Sequence, residues 1–124
     1  MPNVIVIDDD PEVLEFVTVL LKLRKLEVYP LRDGQLLEAA LRAVAPALVI
    51  LDIYLDRYDG RELCMRIKQN EEFRKIPVIL YSGGDIATES VKGCEADAFL
   101  EKPFDIDKLY SLLDKFLNNL RSEV

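Results

Sequence analysis

Two apolar runs of this chain end in acid. Val4-Ile5-Val6-Ile7 leads into Asp8-Asp9-Asp10, and Ala47-Leu48-Val49-Ile50-Leu51 leads into Asp52. Runs of this length read as strands buried on both faces, and in an open parallel sheet the carboxyl ends of neighbouring strands share the edge where ligands bind. The acids are therefore expected in one crevice. Carboxylates crowded at low dielectric repel one another and need a cation to offset them. Lys102 follows a third run, Ala98-Phe99-Leu100, in the same manner. Acids and lysine at one sheet edge suit a hard metal ion and an anion.

The elements that must hold these groups can be read from periodicity. Apolar runs at 4–7, 26–29, 47–51, 77–81 and 97–100 alternate with stretches of helical period, the βα pattern repeated five times that predicts a doubly wound α/β fold. A first helix is predicted from Asp10-Pro11, with Asp10 as cap and a stripe of Val13, Val17, Leu20 and Leu21. A second follows Asp33-Gly34, buries Leu37, Leu41 and Val44, and stops before Pro46. The third opens at Asp59-Gly60-Arg61-Glu62 as a capping box and buries Leu63 and Ile67. A fourth, over Asp85 to Gly93, has only Ile86 and Val91 as anchors and is the predicted moving part. The last runs from Asp105 with Ile106, Leu109, Leu113, Phe116, Leu117 and Leu120 on one side. The second strand is short and closed by Pro30, which puts it at the sheet edge and predicts the order 2-1-3-4-5.

Composition narrows the function classes. The 124 residues suit one domain with a real core, with no linker, repeat or attached effector expected over residues 1–124. With 23 acidic against 16 basic residues the net charge is −7 and no basic cluster appears, so direct binding to nucleic acid or to an anionic membrane is disfavoured. No apolar leader or membrane-length stretch is present, which predicts a cytoplasmic location. Without a histidine, intrinsic histidine-based acid–base or triad catalysis is excluded. Cys64 and Cys94 lack metal-ligand spacing, fall in segments of helical pattern, and read as buried thiols.

Four motifs in chain order give the chain a family resemblance. Val6-Ile7-Asp8-Asp9-Asp10-Pro11, Leu51-Asp52-Ile53 with Asp59-Gly60, Pro77-Val78-Ile79-Leu80-Tyr81-Ser82-Gly83, and Glu101-Lys102-Pro103-Phe104 each close a predicted strand. Singly each is a weak pattern. Together, over essentially the whole length, the chain resembles the receiver domain of two-component response regulators, in the single-domain form typified by chemotaxis regulators.

The resemblance implies a flavodoxin-like (βα)5 fold and a set of roles. Asp52 would accept a phosphoryl group as a carboxylate nucleophile. Asp9, Asp52 and the backbone carbonyl of Tyr54 would bind Mg²⁺ directly, with Asp8 holding one of its waters. Lys102 would pair with one phosphoryl oxygen and the Ser82 hydroxyl with another, and Pro103 would be a cis proline aiming the lysine. Phe99 takes the place of the aromatic switch, often tyrosine in relatives, and would move inward as Ser82 is drawn to the phosphoryl group. The implied partners are a histidine kinase or histidine phosphotransfer protein upstream and a target protein bound by the face of the fourth helix, fifth strand and fifth helix.

The pattern has departures. Asp56 stands where a proline is common, Gly83 replaces a frequent alanine, and Gly84 leaves the next position without a side chain. Plain structural roles compete at several positions: Asp10 reads as a helix cap rather than a metal ligand, and Phe99 is core-forming either way. Two other functions compete with the switch. A Mg²⁺-dependent phosphatase of the haloacid dehalogenase type needs an aspartate two residues after the nucleophile, where this chain has Tyr54. A receiver-like binding module that is never phosphorylated would not need the set Asp8, Asp9, Asp52, Ser82 and Lys102. The chain is thus expected not to be an enzyme acting on a separate substrate, beyond its own phosphoryl transfer and dephosphorylation.

Overall fold

A computed structural model describes residues 2–83, 93–102 and 105–121, the last four of these by backbone only. Five parallel strands form one sheet in the order β2-β1-β3-β4-β5: β1 Asn3–Ile7, β2 Glu27–Leu31, β3 Leu48–Asp52, β4 Val78–Ser82 and β5 Ala98–Glu101. This is the flavodoxin-like order expected from the alternation, with the reversal of winding falling between β1 and β3.

The sheet is central because its inner strands are apolar on both faces. Val4 and Val6, Leu48 and Ile50, and Ile79 and Tyr81 pack against Leu14, Val17 and Leu21 of α1 (Pro11–Leu23) and against Leu109, Leu113 and Leu117 of the C-terminal helix (Ile106–Arg121). The alternate residues Ile5, Ile7, Val49, Leu51, Val78 and Leu80 pack against Leu37 and Leu41 of α2 (Leu37–Val44) and Leu63 and Ile67 of α3 (Gly60–Gln69). Each such side chain contributes roughly 1.5–3 kcal/mol over remaining exposed.

Local signals set the helix ends. Asp10 accepts from the N–H groups of Glu12 at 2.9 Å and Val13 at 3.4 Å, so it is the cap of α1, and Pro11 occupies the first turn. At the other end Lys25 takes φ 62°, and the N–H of Leu26 reaches back to the Leu21 carbonyl at 3.3 Å. That is a Schellman-type stop with lysine where glycine is usual.

Several expectations are corrected. Leu14 takes a buried place on α1 while Val13 is half-buried. A 3₁₀ turn, Gly34–Leu36, precedes α2, because Asp33 caps the Gln35 N–H at 2.9 Å and starts the tighter winding first. Asp59 caps α3, yet its carboxylate is gripped by Arg61 (2.6 Å to Nη2), which takes the reciprocating place expected of Glu62. Pro30 does not close β2, which continues to Leu31; on an edge strand its missing N–H faces no neighbour. Ile106 is 41% exposed, since the first turn of the C-terminal helix lies past the strand ends. Cys94 lies in a turn rather than a helix; like Cys64 it is buried and outside any disulfide. The predicted fourth helix, apart from Gly93, lies outside the described residues, as do Gly84, Pro103 and the Leu120 side chain.

Candidate functional site

Strand alternation decides which side chains meet. Asp8 continues the series Val4, Val6; Asp52 continues Leu48, Ile50; Lys102 continues Ala98, Leu100. All three therefore emerge at the carboxyl edge on the side of α1 and the C-terminal helix.

Asp8 is fully buried, Asp52 is 4% exposed and Asp9 is half-buried. One carboxylate oxygen from each lies within 4.8 Å of the other two. Lys102 Nζ stands 3.1 Å from Asp8 Oδ2 and 3.5 Å from Asp52 Oδ2, over the Tyr81 ring at 4.6 Å from its centre. The charge balance is unequal. Asp8 also accepts from the Tyr81 hydroxyl at 2.7 Å and from the Asp10 N–H at 2.9 Å, whereas Asp52 accepts from the Tyr54 N–H at a longer 3.3 Å besides its contact with the lysine. Burial first, and then the negative charge of Asp8, pushes the Asp52 carboxyl up to about 6, against the pull of Lys102 and the Tyr54 N–H.

This donor set fits a hard divalent cation: it is all oxygen, clustered and short of positive charge. Both Asp8 oxygens already accept hydrogen bonds, while Asp9 accepts none among the described residues, so Asp9 and Asp52 are the better direct ligands and Asp8 the better holder of a water. Tyr54, named for its main-chain carbonyl, sits beside Asp52 through its own N–H and bridges to Asp59, with its side chain 54% exposed.

Ser82 is buried and Phe99 half-buried. By alternation Phe99 points to the opposite side of the sheet from Lys102, with Val78 and Leu80. Ser82 stays coupled to the acids through the main chain, because its carbonyl accepts from the Lys102 N–H at 2.9 Å and it pairs with Glu101 across β4–β5.

Two positions beside the acids were quoted from sequence only within motifs, with no role given to their own atoms. Tyr81 is one; burial holds its hydroxyl far above the ordinary tyrosine range, so it stays a neutral donor to Asp8. Register counting would have found it, since Tyr81 is directly opposite Asp52. Gly60 is the other. A Cβ there would fall 2.1 Å from the Asp52 carbonyl oxygen, and its N–H donates to Ile53 at 2.7 Å, so the start of α3 presses on the end of β3.

The response regulator receiver domain model matches residues 4–114. The chain belongs to the response regulator receiver domain family. Among relatives of this receiver domain, Protein PilG of Pseudomonas aeruginosa is 33% identical over 86% of this chain and 81% of its own length. The DNA-binding dual master transcriptional regulator RpaA of Synechocystis is 31% identical over 88% of this chain but only 46% of its own length. The chain spans about half the length or less of several transcriptional regulators it matches. In structure it is similar to the signal receiver domain of a signal transduction histidine kinase from Syntrophus aciditrophicus, with 26% identity, a TM-score of 0.87, and 96% of this chain and 92% of that one covered. Vibrio cholerae chemotaxis protein CheY4 shares the fold, with a TM-score of 0.86 at 21% identity, covering 94% of this chain and 99% of that one. Among the described residues no helix is long and apolar enough to cross a membrane.

Proposed function

We propose that this receiver domain is a phosphorylation-driven switch in which Asp52 takes a phosphoryl group from a histidine kinase or histidine phosphotransfer protein, with Mg²⁺ in the Asp8–Asp9–Asp52 cup. The observation that carries this is the buried Asp52 carboxylate, short of compensating charge, with Lys102 Nζ at 3.5 Å.

At neutral pH a carboxyl near 6 is mostly ionised, so Asp52 is available as a nucleophile without a general base. Its oxygen attacks phosphorus in line; the bond from phosphorus to the donor atom breaks, and the electron pair leaves with the donor. Asp9 and Asp52, with Asp8 on a bound water, would hold Mg²⁺, which would supply positive charge to offset the acids and the incoming phosphoryl group. Lys102 now bridges two carboxylates, and once Asp52 is phosphorylated it is released toward a phosphoryl oxygen. The Ser82 hydroxyl takes a second oxygen, and Phe99 follows into the space vacated. The face made by β5, the C-terminal helix and the segment before β5 then binds a target protein. The domain acts by binding, in the cytoplasm, and not as an enzyme on a separate substrate.

Incubation with acetyl phosphate and Mg²⁺ should add one labile phosphoryl group by intact mass. Loss of that adduct in Asp52→Ala is the expected result; its persistence would move the acceptor elsewhere.

A further inference from the structure

Arg32 and Arg57 line a cavity that shares Asp9 with the acid cluster, and they have no part in the reading above. Arg32 follows β2 directly, and the register that sets Ile7 beside Leu31, with the Asp8 N–H bonded to the Leu31 carbonyl at 3.1 Å, brings it level with the acids after β1. Arg57 follows Asp56, the residue that departs from the family's proline. With Asp9, Asp33, Asp56 and Tyr58 the two arginines line a cavity of about 410 Å³.

Both arginines are exposed, and among the described residues neither guanidinium forms a salt bridge or hydrogen bond. In a chain with 23 acids to 16 bases, two arginines left unpaired beside acids that line the same cavity are unexpected. Asp33 is occupied as a cap for the Gln35 N–H, and Asp9 belongs to the metal cup. The guanidinium forks thus keep their donors for an anion entering beside Asp9, and a guanidinium matches carboxylate and phosphate oxygens in pairs.

We propose that Arg32 and Arg57 are positioning residues that bias the pocket toward acyl-phosphate donors. This rests on Asp52 being the acceptor. An acyl phosphate approaches with anionic charge and, as Asp52 attacks, the phosphorus–oxygen bond breaks and its electron pair leaves on a carboxylate. Phosphoramidate reacts at the same phosphorus, but its phosphorus–nitrogen bond breaks to release neutral ammonia from an already protonated nitrogen. Cations lining that cavity favour the first donor and do little for the second.

The test compares rates of Asp52 adduct formation with acetyl phosphate and with phosphoramidate, at fixed Mg²⁺, in the native chain, the Arg32→Ala/Arg57→Ala double variant and the corresponding double lysine variant. The acetyl phosphate rate should fall about threefold to tenfold in the alanine variant, with the phosphoramidate rate within about twofold of native. Lysine should restore most of the loss, and added salt should slow acetyl phosphate more in the native chain than in the alanine variant. Equal changes with both donors, or none, would overturn the inference while leaving Asp52 as acceptor. Absence of any adduct with either donor in the native chain would overturn the acceptor reading and this one with it.

Discussion

Asp8 and Asp52 are both buried acids at the end of a strand, yet their surroundings differ. Asp8 has the Tyr81 hydroxyl, the Asp10 N–H and the nearer contact with Lys102. Asp52 has a longer contact with the same lysine and a longer bond from the Tyr54 N–H, and burial raises its carboxyl to about 6 from an ordinary 3.8. A carboxyl raised in the fold binds its proton more tightly there than in the unfolded chain. The metal-free fold is therefore favoured below the unfolded value and loses that contribution as pH rises through about 6. Asp52→Asn removes the ionisation while keeping the shape. In chelator, the variant should match the native chain near pH 4 and exceed it at pH 7.5 by on the order of 2 kcal/mol, several degrees in Tm. Melting curves across that range check it, and a gap independent of pH would show that the Asp52 charge is already compensated. Asp8→Asn should behave oppositely, losing stability at pH 7.5, because Lys102 would lose its nearer partner.

At the scale of elements, two glycines near the pocket have opposite status. Gly60 is fixed by contact, for its Cβ would meet backbone at 2.1 Å and 2.8 Å that no side-chain rotation can relieve. Gly60→Ala should cost at least about 2 kcal/mol and displace the end of β3 that carries Asp52. At Gly83 a Cβ would lie 3.5 Å from Lys102 Cβ, an ordinary contact, and φ is not positive. Gly83→Ala should stabilise by about 0.4–1 kcal/mol, by restricting the unfolded chain. Chemical denaturation of both variants measures the difference in sign. Sequence alone distinguishes neither glycine, since the contact at Gly60 exists only once α3 has folded back on β3. The strands show the same division. Their positions were legible because a strand buried on both faces reads as a continuous apolar run, but β3, β4 and β5 each extend one residue further, into Asp52, Ser82 and Glu101. The ladder belongs to the backbone, and a side-chain pattern stops where the polar functional residue begins. Asp8, Asp9, Asp52 and Lys102 were legible because strand ends collect on one edge. The Tyr81 hydroxyl was not, because its bond to Asp8 spans strands 73 residues apart in sequence.

For the whole molecule, the sheet separates the acids from the residue that would report on them. Asp8, Asp52 and Lys102 emerge beside α1 and the C-terminal helix, while Phe99 lies on the other side. A phosphoryl group on Asp52 must therefore act across the sheet, and the described path is the β4–β5 edge, where the Ser82 carbonyl holds the Lys102 N–H and Leu80 pairs with Phe99. Drawing Lys102 and Ser82 toward one ligand changes that edge directly. On the far side, α2 packs on the sheet through Leu37 and Leu41 in the core, a close-packed region that resists small displacement. With beryllofluoride and Mg²⁺ as a stand-in for the phosphoryl group, amide hydrogen exchange should slow in peptides from Leu80 through Lys102 and in the first turn of the C-terminal helix, and remain unchanged in Leu37–Val44 of α2. Phe99→Ala should keep the protection at Ser82 and Lys102, which depends on the ligand, and lose it in the segment before β5, which depends on the aromatic ring moving. A response of equal size in α2 would mean that the ligand tightens the fold globally, and the β4–β5 edge would then be a site of binding without being a switch.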